Sequence, residues 1–364
     1  MNQNMAFTEQ DFQKNVKLSK YTTIQLGGEA KYFLEATSEG QILDALEFAK
    51  NNNIKVQILG GGSNILFQDA GFDGLVLKIA IKFVNTELKN DYALVTAGAG
   101  VYWDDLVSLV VNEGLAGVEA LAGIPSTVGA TPIQNVGAYG QDVSETIVEV
   151  KAIDRETLET IIFNNSDCKL SYRQSVFKSE YLDQYIVTEV TFKLRVNGRP
   201  VIAYPQLEER IKTSVDLDSL TDGREVLSAV RETVLQIRAE KSMVLNPEDR
   251  NSISSGSFFT NPIVSEMTFN NVQAKAKQLG IQGPVPNFGT GDEIKIPAAW
   301  LLEKAGFVKG YKKGAPAHLS LRHNLAIVNN GGTTKDVLEL QKEIQLGVKE
   351  KFGVELEREP ILVN

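Results

Sequence analysis

The residues best suited to chemistry by type and spacing begin at Gly60-Gly61-Gly62-Ser63-Asn64. Three successive glycines lose much conformational freedom in an ordered chain, so the position requires bare backbone. Bare backbone lets consecutive N–H groups turn toward one point, a concave nest that suits an anion such as a pyrophosphate. Ser63 and Asn64 add side-chain donors. A tight turn between core strands is the competing reading, but such turns rarely use Gly-Gly-Gly where Asn-Gly would serve. No Gly-Lys-Ser/Thr follows, which rules out a nucleoside-triphosphate P-loop. Gly98-Ala99-Gly100 runs on into Val101, Tyr102 and Trp103, so the Gly-x-Gly-x-x-Gly fingerprint is missing too. What remains is a nucleotide or dinucleotide held outside a Rossmann fold.

A second block runs from Gly117 to Gly140, rich in glycine, proline and small residues and without clear periodicity. Long irregular segments inside a compact domain are usually functional. It contains Gly123-Ile124-Pro125-Ser126 and Gln134-Asn135-Val136-Gly137-Ala138-Tyr139-Gly140. A second backbone wall against a flat or extended ligand would explain both the small residues and the Gln134-Asn135 donors. A loop packed on itself is the plainer alternative.

The elements that must position these blocks can be read around them. Ile54 to Leu59 is an apolar, β-branched run that predicts a buried strand ending at the glycines. Upstream, Tyr21 to Gly28 and Ala30 to Ala36 read as strands. Thr37 or Ser38 caps a helix with Ile42, Leu43, Leu46 and Phe48 near helical spacing. The glycines then sit at the carboxyl end of a strand in a small α/β unit, where ligands of such sheets bind. Downstream, Leu75–Ile79, Tyr92–Thr96, Ile147–Ile153 and Thr157–Phe163 predict strands, and Trp103–Asn112 a helix with Leu106, Leu109 and Val110 inward. Tyr185–Val196 alternates most clearly. Tyr204-Pro205 is placed in a loop and 222–239 in an amphipathic helix.

A polar segment around Pro247 marks the last domain boundary. Beyond it, helices are predicted from Ser265 to Leu279 and from Pro297, and Thr334 caps a long helix stopped by Gly353. A strand is expected over Leu325–Val328.

With 364 residues, two or three domains are expected. The net charge of -9, from 37 basic and 46 acidic residues without a basic run, argues against a nucleic-acid partner. Cys168 is the only cysteine, so no internal disulfide can form and a reducing compartment fits. His318 and His323 are neither three nor four apart and have no Cys or Glu cluster beside them, so no metal site is expected. Met1 to Lys14 lacks an apolar signal core and no stretch is long enough to span a bilayer; the expectation is a cytoplasmic protein.

The Gly60–Asn64 nest, followed by Gly123-Ile124-Pro125 and by Pro132-Ile133-Gln134-Asn135-Val136-Gly137-Ala138-Tyr139-Gly140, resembles the UDP-N-acetylenolpyruvoylglucosamine reductase (MurB) family. Three further stretches extend the likeness: Ser171-Tyr172-Arg173-Gln174-Ser175, Ser255-Gly256-Ser257-Phe258-Phe259-Thr260-Asn261-Pro262 and the terminal Leu356-Glu357-Arg358-Glu359. It departs at Ser126, where the family usually continues Gly-Ile-Pro-Gly, and at Arg358, where a proline usually stands between the two acids.

The resemblance implies an α+β chain with the two-subdomain FAD-binding fold of the vanillyl-alcohol-oxidase type and a C-terminal α+β substrate-binding domain. Residues 1–79 with 352–364 returning to them, and 80–240, would clasp a non-covalent FAD. Residues 241–351 would bind substrate. FAD would contact Gly60, Gly61, Gly62, Ser63, Asn64, Gly123, Ile124, Pro125, Ser126, Gln134, Asn135, Gly137, Ala138, Tyr139 and Gly140.

The implied reaction reduces the enolpyruvyl ether of a UDP-sugar by hydride from flavin N5, with NADPH as co-substrate and the protein acting as a monomer. Arg173 would grip the substrate carboxylate, because its planar fork makes paired charge-assisted bonds. Glu359, favoured over Glu357 by register, would stabilise the developing enolate. Ser257 would supply the final proton. Tyr204 is a candidate lid, and Lys241 and Asn261 are candidate substrate contacts. The competing classes are a flavin-dependent sugar or alcohol oxidase of the same fold, which often tethers its flavin through His or Cys, and a non-catalytic nucleotide-binding protein. No His or Cys lies near the two wall blocks. No Gly-x-Ser-x-Gly elbow supports hydrolase chemistry.

Overall fold

The computed structural model describes residues 7–215, 220 and 222–364. The first part of the polar start, up to residue 6, lies outside them. The chain forms two compact units, one of residues 1–16, 30–62 and 73–240, the other of residues 17–29, 63–72 and 241–364.

The first unit is built on two sheets. One has four strands in the order Gln13–Lys17, Glu29–Ala36, Phe72–Ile79, Val56–Leu59, with the last two parallel. Leu75, Leu77 and Ile79 are buried in it, and the parallel strand Val56–Leu59 ends directly at Gly60. The helix Glu39–Asn51 is capped by Ser38, whose hydroxyl accepts from the Gln41 N–H, and it buries Ile42, Ala45, Leu46, Phe48 and Ala49.

The other sheet is antiparallel: Thr160–Asn164, Ile147–Asp154, Tyr185–Val196, Tyr92–Gly98 and Val84–Leu88, with Leu115–Ala116 added to Tyr185–Val196. Ile186, Val190, Phe192 and Leu194 are buried at the alternate positions the sequence predicts. The helix Trp103–Asn112 buries Trp103, Leu106, Val107, Val110 and Val111. Leu109, expected on that inner face, is 38% exposed, one residue out of phase with the buried stripe. Trp103 is fully buried, and its indole N–H donates to the Leu121 carbonyl at 3.0 Å, anchoring the start of the irregular block.

The second unit has its own core, from Ile24, Leu26 and Leu66 to Phe352 and Leu356. Its helices are Glu266–Gln278, Ala298–Ala305 and Thr334–Phe352. The last is opened by Thr333 rather than Thr334: Thr333 and Asp336 form a reciprocal capping box, and Gly353 closes the helix at φ 75°. Thr334 instead donates its hydroxyl to the Phe67 carbonyl at 2.7 Å. Ile361–Val363 pairs in parallel with Ile65–Phe67.

Two predicted elements differ. Tyr21 to Gly28 is not a strand. A 3-10 turn over Leu18–Tyr21 leads into a segment folded on itself, where Thr22 Oγ1 accepts from the Leu26 N–H and donates to the Leu26 carbonyl. Tyr204-Pro205 is not a free loop: Tyr204 is the N-cap of the helix Pro205–Ser214, with proline in its first turn where a missing N–H costs nothing.

Candidate active site

In the first unit, the two small-residue blocks meet. A Cβ at Gly60 would lie 2.9 Å from Thr127 Oγ1, and one at Gly61 3.2 Å from the Ser126 carbonyl carbon. Side chains at 60 and 61 would push the second block away, so part of the glycine requirement comes from this close approach and not only from a ligand. Gly62 adopts φ 70°, a region glycine enters at no steric cost. Among the described residues, nothing accepts from the N–H groups of Gly61 or Gly62. These are the unsatisfied donors that an anion-binding nest requires.

The second block is fastened by side chains reaching into its backbone. Asp104 Oδ1 accepts from the Gly123 N–H at 2.7 Å, while Asp104 Oδ2 pairs with Arg231 Nη2 at 2.9 Å. The Ser126 N–H donates to the Ile124 carbonyl at 2.8 Å, and Ser126 is buried. The helical turn Thr131–Gln134 ends at Asn135, left-handed at φ 42°. Asn135 Nδ2 donates to the Ser171 carbonyl at 2.9 Å, which fixes the amide's orientation. Asn135 Oδ1 is buried with no partner among the described residues. A buried acceptor left unpaired costs roughly 1–3 kcal/mol, which a ligand N–H or O–H would recover.

Arg173 sits against the same block. Its Nη2 donates to the Gly137 carbonyl at 3.0 Å and Nη1 to the Asn135 carbonyl at 3.5 Å. The arginine's own backbone is left-handed at φ 56°. The turn that carries it is tied down on both sides. Lys178 Nζ donates to Gln134 Oε1 at 2.9 Å and to the Arg173 carbonyl at 2.8 Å, and Ser175 Oγ donates to the Ile133 carbonyl at 2.7 Å. Three non-glycine residues with positive φ, Asn135, Tyr139 and Arg173, thus occur together. Such strain clusters at ligand sites because the surroundings must hold it in place. Tyr139 meets Tyr204 edge to face at a ring separation of 5.4 Å, and a Cβ on Gly140 would lie 3.4 Å from the Tyr204 nitrogen.

In the second unit, the segment after Ser257 runs antiparallel to the chain terminus. The Glu359 N–H donates to the Phe258 carbonyl at 2.9 Å, the Thr260 N–H to the Glu357 carbonyl at 3.1 Å, and Phe259 bridges Arg358. Asn64 joins this pair: its Nδ2 donates to the Glu359 carbonyl at 3.4 Å, and its carbonyl accepts from the Ile361 N–H at 2.9 Å. Glu359 therefore lies in a ladder beside Asn64, and Ser257, about 100 residues earlier in sequence, stands one residue before its first rung.

Glu359 is half-buried and Glu357 exposed. Arg358, standing where the family has proline, turns its guanidinium to the Pro360 carbonyl at 2.8 Å and to Gln341 at 3.3 Å. Asn261 Oδ1 accepts from the Ala298 N–H at 2.8 Å, at the start of Ala298–Ala305, which gives it a capping duty. Lys241 is half-buried.

Sequence reading missed the residues that brace the wall from outside: Asp104, Arg231, Lys178 and Ser175. The available signal was Arg231 and Arg238 seven positions apart on a helix, hence on one face. Among the described residues, no group of three His, Cys, Asp or Glu could hold a metal ion, and no helix is long and apolar enough to cross a membrane. Burial pushes the Cys168 thiol up to about 12, which leaves it without nucleophilic character.

The described residues fit FAD. The free N–H groups after Gly60 suit its pyrophosphate, and the unpaired Asn135 oxygen suits one of its donors.

Comparison with known proteins agrees. A model of the FAD binding domain matches residues 30–158, and a model of the UDP-N-acetylenolpyruvoylglucosamine reductase C-terminal domain matches residues 246–363. The UDP-N-acetylenolpyruvoylglucosamine reductase of Streptomyces coelicolor is 45% identical over 350 residues, 95% of this chain and 89% of that protein. That of Thermobifida fusca is 42% identical over 360 residues, 97% of this chain and 98% of the relative. The crystal structure of the reductase (MurB) from Thermus caldophilus shares the fold, with a TM-score of 0.64 at 24% identity over 97% of this chain and 100% of the other. The chain belongs to the UDP-N-acetylenolpyruvoylglucosamine reductase (MurB) family of FAD-dependent oxidoreductases.

Proposed function

We propose that this protein reduces the enolpyruvyl double bond of UDP-N-acetylglucosamine enolpyruvate to the lactyl ether, UDP-N-acetylmuramate, with NADPH as reductant. The reaction would serve peptidoglycan precursor synthesis, and through it cell shape, division and the cell cycle, in the cytoplasm and in a monomeric protein. Bound FAD supplies the hydride carrier that connects NADPH to the sugar nucleotide.

The chain's own residues would do the rest. The segments around Gly60–Asn64 and 123–140 hold the cofactor within residues 1–79, 352–364 and 80–240. Residues 241–351 bind the sugar nucleotide. Arg173 pairs with the substrate carboxylate through its planar fork, and so stabilises the charge that builds on it and on the carbon beside it when hydride adds to the terminal carbon of the vinyl group. Glu359 hydrogen-bonds the developing enolate. Ser257 gives its hydroxyl proton to the enolate carbon, a transfer that an ordinary serine makes only to a base this strong and well aligned. Tyr204 covers the substrate, while Lys241 and Asn261 contact the sugar nucleotide.

The observation that carries this reading is the backbone ladder joining Phe258 to Glu359, with Asn64 hydrogen-bonded to it. The purified protein should be yellow, be bleached by NADPH, and recover its colour on adding the enolpyruvyl UDP-sugar, with the lactyl ether as product. Oxygen uptake stimulated by an alcohol or free sugar, without that product, would favour an oxidase.

A further inference from the structure

Both backbone groups of Gly123 are tied to one helix, the carbonyl directly and the N–H through Asp104. Its N–H donates to Asp104, and Asp104 is held by Arg231 of the helix Gly223–Glu240. Its carbonyl accepts from Arg238 Nη2 at 3.1 Å, seven residues further along the same helix. Seven residues is close to two helical turns, so the two arginines project from one face. Arg238 is only 8% exposed, on the buried stripe with Val234 and Ile237. It is also hydrogen-bonded to the Tyr139 hydroxyl. A long charged side chain in a buried stripe carries a large desolvation cost, and specific bonds must offset it. Here those bonds go to two points of one irregular segment, sixteen residues apart.

The geometry points to Arg238, seconded by Arg231 through Asp104, as a positioning residue that sets the Gly123 peptide and the Tyr139 ring in the form that binds FAD. The inference rests on the reading of 123–140 as a cofactor wall. Tyr139 has its ring edge to face with Tyr204. Arg238 therefore also biases where Tyr204 stands at the head of Pro205–Ser214.

The test measures flavin release from the holoenzyme by the fluorescence of free flavin on dilution, with melting temperature recorded alongside. Arg238→Met should raise the FAD dissociation constant on the order of tenfold to a hundredfold, since a buried charge-assisted bond is lost. Arg238→Lys should recover part of the loss, because one amine can still reach the Gly123 carbonyl. Tyr139→Phe should weaken retention in the native background and add nothing in the Arg238→Met background.

If Arg238→Met does not fold, Arg231→Gln and Tyr139→Phe carry the test, each with a dissociation constant raised roughly threefold or more. Lower melting temperatures with unchanged flavin retention would overturn the inference, since a purely structural role predicts that outcome. Gly61→Val separates the two levels, because it disturbs the wall at Ser126 without touching Arg238. If it releases flavin and the arginine variants do not, only the positioning role fails. If it also keeps its flavin, the wall reading itself fails.

Discussion

The two units hold their candidate reactive residues in different ways. In the first, Arg173 and the wall it touches are fixed by side chains donating into backbone carbonyls, with Lys178, Ser175 and Asn135 each making such a bond. Left-handed residues are common there, and almost none of the block belongs to a strand. In the second, Ser257 and Glu359 are presented by main-chain bonds between 258–260 and 357–359. The first arrangement depends on the identity of many side chains. The second presents its candidate side chains from main-chain bonds that a side-chain substitution leaves in place. Substitutions in the first region should therefore alter binding, chemistry and stability together, and in the second they should alter chemistry alone.

Arg173→Met offers the largest contrast. It removes the bonds to the Gly137 and Asn135 carbonyls and, on the proposed function, the charge that meets the substrate carboxylate. Steady-state turnover should fall by about 10³-fold, accompanied by a measurable drop in melting temperature. A variant that loses turnover with an unchanged melting curve would show that Arg173 is not part of the wall's framework.

In the second region, Glu359→Gln should lower turnover by roughly 10²-fold while Glu357→Gln stays near the native rate, with both proteins melting as the native one does. Equal losses, or a loss confined to Glu357, would reverse the register assigned to the terminal acids.

A smaller effect is expected at Asp154, which belongs to the scaffold and to neither set. The Thr157 N–H, the Gln184 amide and the Glu156 N–H donate to its carboxylate and hold it below the usual carboxylate range against the opposing effect of burial. A depressed folded value means the stabilisation is present above the ordinary value of about 3.9 and is lost as pH falls through the lower folded one. Asp154→Asn should cost about 1 kcal/mol in urea denaturation at neutral pH. The gap from the native protein should close in acid. A difference that persists there would assign the effect to packing instead of charge.

Much of this was legible because local signals and burial agree. Tyr185–Val196 alternates from Val190 to Arg195, and a strand does end at Gly60, although it is half-buried rather than buried, with only Leu59 of Val56–Leu59 fully covered. The close approach of Gly60 and Gly61 to Ser126 and Thr127 had a visible signal in the small residues of both segments. Val84–Leu88 was not readable: as an edge strand with four exposed residues it carries no apolar alternation. Tyr21 to Gly28 misled for the opposite reason, since its apolar Ile24 and Leu26 are buried in the second unit's core without pairing as a strand. The braces on Gly123 were harder to read: the spacing of Arg231 and Arg238 marks one helix face, but nothing local says that Arg238 reaches across 115 positions.

The most direct measurement follows the two half-reactions of Ser257→Ala separately. NADPH should bleach the flavin as fast as in the native protein, the protein should melt at the native temperature, and recovery of the flavin colour with release of the lactyl ether should slow by roughly 10²–10⁴-fold. Product formation at the native rate would contradict the assignment of Ser257 as proton donor, and with it the claim that the ladder to Glu359 presents the reactive pair.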